Sequence, residues 1–147
     1  LLFAVFCLII LGCDDVSGHG EPNAGYRDEM VCLVQSLESY ADTHSSGFLL
    51  VAQNGSELLT VDGEPQGSVN PSYRDALDGQ AQEDLYFGYL ADDQPTPASE
   101  TEWMEDFLDL AEGQGIEVLV VDYCSTPEYV DSSYAWSEER VYSSLAA

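Results

Sequence analysis

The chain has 147 residues, with 28 acidic side chains against 3 basic ones and a net charge of -25. That length allows one domain with a core of its own, but falls short of the roughly 250 residues of a full eight-unit β/α barrel. The three bases are Arg27, Arg74 and Arg140, and a surface so poor in cations excludes nucleic acid, whose phosphates need Lys and Arg. The acidity fits either a solvating surface, as in a high-salt environment, or the attraction of a cationic ligand.

Residues 1–11, LLFAVFCLIIL, are apolar throughout but about half the roughly 20 residues that a spanning helix needs. An apolar run of this length ending in a small residue reads as an export signal. Ile10-Leu11-Gly12-Cys13 also resembles a bacterial lipobox, in which Cys13 would be lipidated and hold the protein on a membrane surface. An ordinary signal peptide is the alternative. Residues 1–13 are thus expected to be a signal peptide with a lipobox-like end, on an exported, bacterial protein, either anchored or secreted. Residues 14–25, rich in Gly and polar side chains, read as a linker or loop.

From there Tyr26, Met30, Leu33, Val34, Leu37 and Ala41 fall at helical spacing, predicting a helix over 26–42. Residues 48–52 read as a buried strand, and 55–72 as a loop with a short apolar turn at Leu58-Leu59. A short strand is expected near 76–78, followed by a polar loop holding Glu83 and Asp84. Thr96-Pro97 opens a helix, with Ser99 and Glu102 offering a capping box as an alternative start. Its stripe is Trp103, Met104, Phe107, Leu108 and Ala111, ended by Gly113 and Gly115. Residues 116–121 are apolar on both faces except at Glu117, as in a covered parallel strand. A short helix over about 126–136, with Trp136 in the core, and a last strand over 141–145 complete the chain.

Alternation of helices with buried strands predicts an α/β fold with a parallel sheet. Ligands of such sheets bind beyond the C-terminal strand ends. Three polar pairs lie at or just past expected strand ends: Gln53-Asn54, Glu83-Asp84 and Asp122-Tyr123. Each abuts an apolar run, so together they read as one rim of a single site. Cys32 and Cys124 are expected to be small core residues, with a disulfide between them as the alternative. No CxxC pair exists and His19 and His44 have no ligand-spaced partners, so neither a metal nor any other cofactor is expected.

YRDEMVCLVQSLESYA, FLLVAQNGSELL, QAQEDLYFGY and TEWMEDFLDLAEGQGIEVLVVDYCSTPEYVDSSYA together resemble the bacterial proteins of glycoside hydrolase family 114, TIM-barrel proteins related to endo-α-1,4-polygalactosaminidase. The resemblance covers residues 20–147, and implies that 26–147 are a partial TIM barrel, its last four strand–helix units. It implies Glu83 as the catalytic general acid/base, with Gln53, Asn54, Asp122 and Tyr123 lining a sugar groove. Asp84, beside Glu83, either joins the substrate contacts or points away and holds its loop. Tyr123 is either a stacking platform or a packed ring. The family's first four strands, and the second catalytic aspartate, have no counterpart here. Glycoside hydrolysis needs two carboxyl groups, about 5–5.5 Å or 6.5–9.5 Å apart according to mechanism. Asp122 would either complete a pair with Glu83 or orient substrate hydroxyls and amines. The expected partner is a polysaccharide, in particular a cationic amino-sugar polymer, with self-association through open sheet edges. The alternative is a half-barrel that binds glycans without cutting them.

Overall fold

The structure, a computed structural model, describes residues 24–147. The expected signal peptide, the lipobox with Cys13, and residues 14–23 of the expected linker lie outside the described residues. The elements are α1 (Ala24–His44), β1 (Val51–Gln53), a 3₁₀ turn (Ser56–Leu59), α2 (Pro71–Arg74), β2 (Gly79–Glu83), α3 (Ala98–Gly113), β3 (Glu117–Asp122), α4 (Pro127–Glu139) and β4 (Ser143–Ala146). The strands form one sheet in the order β1-β2-β3-β4, and each neighbouring pair is parallel. The architecture is therefore α/β, as the alternation of elements predicts. Among the described residues no helix is long and apolar enough to cross a membrane.

The two faces of the sheet differ. Val118, Val120 and Asp122 of β3 are buried, and Met104, Leu108 and Ala111 of α3 join the same core. In register with them, Gln80 and Gln82 point to the same side, because partners in a parallel ladder share a face. The opposite face carries Val51, Gln53, Ala81, Glu83, Leu119, Val121, Ser143 and Leu145. Val51 is 44% and Leu145 55% exposed, so this face is open among the described residues.

β2 is the element that sequence periodicity misplaces. Residues 76–78, expected as a strand, form the turn after α2, and the strand is Gly79-Gln80-Ala81-Gln82-Glu83. Its glutamines are buried yet supplied with acceptors: Gln80 Nε2 donates to the carbonyls of Asn54 and Ala81, and Gln82 Nε2 to that of Glu83. A polar strand can occupy a covered face when its amides bond to backbone in this way. β1 begins later than expected, since Phe48 and Leu49 are exposed and Asp78 Oδ2 accepts the Leu50 N–H at 2.7 Å.

The helices differ from expectation mainly in which residues they bury. α1 buries Val31 and half-buries Val34, while Tyr26, Met30, Leu33 and Leu37 of the expected stripe stay exposed. α3 starts at Ala98 with Pro97 flanking it, and neither Ser99 nor Glu102 caps it. The Thr96 hydroxyl instead donates to Asp84 O, and the Thr101 hydroxyl to Leu85 O, fastening the helix start to the loop after β2. Trp103 is part-exposed rather than in the stripe. α4 begins with Pro127 at its first position, as the Thr-Pro step favours, and runs past Trp136 to Glu139. Trp136 is not a core residue: it is 43% exposed, and stacks on Phe87. Cys124 is a buried free thiol, so no disulfide joins it to Cys32.

Candidate functional site

Gln53, Glu83 and Asp122 are the last residues of β1, β2 and β3, so the three polar pairs do sit at the C-terminal edge of the sheet. Gln53 and Glu83 lie on the open face, and Tyr123 follows Val121 on that same side. Asn54 turns the chain there with a left-handed backbone (φ 57), which Asn tolerates better than most residues. Gly55 (φ 66) continues the turn, and a side chain there would strain it.

The turn serves Glu83. The Asn54 N–H extends the ladder to Ala81 O at 2.8 Å. Its side-chain oxygen accepts the Glu83 N–H at 3.1 Å, and its Nδ2 donates to Glu83 Oε2 at 3.2 Å. The other carboxylate oxygen, Oε1, accepts the Tyr123 hydroxyl at 2.7 Å. The two bonds to the carboxylate oxygens favour its ionised form. The Tyr123 hydroxyl, then the amides of Asn54 and Gln53, hold the Glu83 pKa below the usual glutamate value. The same bond pushes the Tyr123 phenol up. Glu83 is therefore an acceptor through both carboxylate oxygens, and the donors around it favour the anion. Tyr123 is part-buried and engaged by its hydroxyl.

Asp122 does not face this site. It is 0% exposed on the helical side of the sheet. Its Oδ1 accepts the N–H groups of Tyr86 and Phe87 at 2.8 and 3.2 Å, and its Oδ2 the Ser133 hydroxyl at 2.6 Å. The strand period of two decides this: Val121 and Tyr123 point to the open face, so Asp122 between them cannot. It ties β3 to the loop after β2 and to α4, and is neither a partner carboxylate for Glu83 nor a substrate contact.

Asp84 holds its loop. Its backbone is left-handed (φ 59), its N–H donates to Val121 O, and its carbonyl takes the Thr96 hydroxyl. Its Oδ1 is buried without a partner against Gly88, where a Cβ would lie 2.1 Å away. Burial, then the charges of Glu83, Asp122 and Asp92, push the Asp84 pKa up. The two adjacent carboxyl groups are thus moved in opposite directions, Glu83 toward the anion and Asp84 toward the neutral acid.

Asp93 is the residue that sequence reasoning misses. It too is left-handed (φ 62). Its carboxylate accepts the N–H and hydroxyl of both Ser125 and Thr126, at 2.8 to 3.2 Å, and its own N–H donates to Tyr123 O at 2.9 Å. These bonds, the Thr126 N–H first, lower its pKa to about 2. Asp93 fixes the loop after β2 against the segment carrying Tyr123. The available sequence signal is the run of Asp92, Asp93, Gln94 and Pro95, whose turn-forming composition marks a structured loop.

The arginines are all spent elsewhere. Arg27 donates to the carbonyls of Glu57 and Thr60, Arg74 pairs with Asp75, and Arg140 with Glu105 and Asp109. Among the described residues the rim therefore presents Glu83 with amide and phenol donors but no arginine. Among the described residues no group of His, Cys, Asp or Glu is arranged to hold a metal ion. No protein-family model and no curated protein matches the chain.

Proposed function

We propose that this chain is a carbohydrate-active protein of the glycoside hydrolase family 114 type, and that its strand-end rim binds an amino-sugar polysaccharide. On this reading the four β/α units are consecutive units of an eightfold barrel, and the open face is barrel interior. Sequential strand order and uniform parallel pairing support that placement. The observation that carries the functional reading is the Glu83 carboxylate, held between the Asn54 amide and the Tyr123 hydroxyl at the strand ends. A fixed anion flanked by groups that donate and accept suits a ring bearing both hydroxyls and an ammonium. Within a hydrolase Glu83 acts as the charged member of the carboxyl pair, nucleophile or base, and the proton donor is another group.

A second reading is binding without cleavage. It is favoured by Asp122, whose carboxylate is consumed inside the fold rather than offered to a substrate. Galactosamine oligosaccharides separate the two. Under the first reading the protein binds them and releases new reducing ends, and Glu83→Gln abolishes the release. Under the second it binds them without release, and Glu83→Gln weakens binding. No binding by the folded protein would sink both.

A further inference from the structure

The sheet is finished on neither side. β1 has β2 as its one neighbour and β4 has β3, so both outer edges are open among the described residues. The alternation of the ladder shows which groups this leaves free. Asn54 N–H donates to Ala81 O and Ala147 N–H to Asp122 O, so residues 52 and 145 also turn toward their neighbours, and the N–H groups of Val51, Gln53 and Ser144 point outward. Proteins keep such edges from pairing with charges, prolines or bulges. Here residues 48–56 and 141–147 carry no charged side chain and no proline, in a chain with 28 acidic residues. Exposed apolar side chains gather at the same places: Phe48, Leu49 and Val51 by the β1 edge, Val141 and Leu145 by the β4 edge. α1 fits this pattern. α3 contacts both its own strand β3 and the preceding β2, whereas α1 has no preceding strand in the sheet, packs on α2, and leaves Met30, Leu33 and Leu37 exposed.

Four parallel strands in sequential order are half of the eight at which β/α units close around an interior filled by side chains. The 147 residues cannot supply the other half, since the four described units take 31 residues each on average and 23 residues precede them. A closing body must offer one parallel edge to β1 and another to β4. A second copy does both at once under a two-fold axis, β4 of each copy beside β1 of the other, with α1 laid over the seam. The uncharged edge segments let two copies of net charge -25 meet without like charges in contact.

We propose that two copies of this chain close into one eight-stranded barrel, and that the strand-end site is complete only in that dimer. In an eightfold ring the second strand of one half stands opposite the second strand of the other. The second copy's Glu83 therefore lies across the mouth from this one, and supplies the further carboxylate that Asp122, turned inward, does not. This rests on the reading of the four units as barrel units, and its test is kept apart from sugar binding.

Light scattering gives the mass of the full chain, and amide exchange reads single residues. In about 1 M salt, which screens the repulsion, the mass should be twice the 16.1 kDa of one chain, and the dimer should be at least about tenfold weaker in about 0.1 M salt. The Ser144 amide should exchange slowly in the dimer and rapidly after dilution, while the amides of α3, away from both seams, stay unchanged. Ser144→Pro removes an outward N–H, and Leu145→Glu puts a charge on a position that is exposed in one copy and interior in the barrel. Each should weaken the dimer at least about tenfold with the circular dichroism of the parent retained. The proposal is overturned by any mass other than a dimer's in 1 M salt, by a dimer whose Ser144 amide stays unprotected, or by folded variants that dimerise as the parent does. A monomer that binds galactosamine oligosaccharides removes this inference and leaves the proposed function standing. A dimer protected at Ser144 that binds none does the reverse.

Discussion

Replacing Asp122 tests whether the carboxylate at the end of β3 belongs to the fold or to the site. In Asp122→Ala three buried donors lose their acceptor: Tyr86 N–H, Phe87 N–H and the Ser133 hydroxyl. An unsatisfied buried donor costs about 1–3 kcal/mol. With the longer Phe87 bond at the low end of that range, the loss is about 3–5 kcal/mol, a large part of the roughly 5–15 kcal/mol that holds a domain together. Asp122→Asn is different. Its oxygen can still take both N–H groups, and its amide can donate to Ser133 Oγ, so the cost should be about 1 kcal/mol. Ser133→Ala, which leaves Oδ2 unpaired, should fall between the two. Urea titration measures all three: with a slope of about 1–3 kcal/mol per molar, Asp122→Ala should lower the midpoint by about 2 M. The reasoning fails if Asp122→Ala costs under about 1 kcal/mol, or if Asn is as damaging as Ala. It fails in another way if Asp122→Asn stays stable but loses oligosaccharide binding, which would return Asp122 to the site.

Tyr123→Phe removes the strongest influence keeping Glu83 ionised, so the Glu83 pKa should rise toward its ordinary value. Under the proposed function, binding of a cationic sugar needs the anion and is lost as pH falls through that pKa; the acid limb of binding should move to higher pH in Tyr123→Phe, and an unmoved limb would separate Glu83 from binding. Asp93 has a depressed pKa of about 2, so its stabilisation is present above the unfolded aspartate value of about 3.9 and is lost as pH falls from there through about 2. Asp93→Asn should lower the melting temperature at neutral pH and flatten its decline across that acid window, as thermal melts at stepped pH would report. Gly88→Ala places a Cβ 2.1 Å from Asp84 Oδ1 at a φ of 121, so it should destabilise the protein, with loop resonances from 84 to 96 shifting; a neutral effect on the melt would mean that Asp84 is not packed as described.

The parts legible from sequence were those governed by periodicity and by chain punctuation. β3 declares itself by its apolar run, α3 by the buried spacing of Met104, Phe107, Leu108 and Ala111, and α4 by Thr126-Pro127. The parts that were not legible depend on partners distant in sequence. β2 is buried with two glutamines because backbone carbonyls receive their amides, which composition cannot reveal. The exposed side of α1 follows from how little of the described chain packs on it, not from its own pattern. Three polar strand ends could be placed on one edge of the sheet, but the side that each faces follows from the pleat. Gln53 and Glu83 share the open face, and Asp122, one step out of phase with Tyr123, is turned inward.

Charge gives the site its clearest signature. In a chain of net charge -25 the general field opposes ionisation of any further carboxylate, and both Glu38 and Asp84 have raised pKa values with neighbouring acids among the causes. Glu83 and Asp93 move the other way, and no ion pair of the described residues involves either. Around Glu83, three neutral donors on the strand ends either side of β2 accomplish this: Tyr123 beyond β3, and Gln53 and Asn54 at the end of β1. The donors of Asp93 fix a loop, whereas those of Glu83 surround a carboxylate on the open face at the strand ends. The donors around Glu83 make sense if the rim requires a charge that persists where the rest of the molecule would suppress it. Under the proposed function, the ligand that such a charge rewards is a cation small enough to reach a strand end, presented on a ring whose hydroxyls can exchange hydrogen bonds with the same amides.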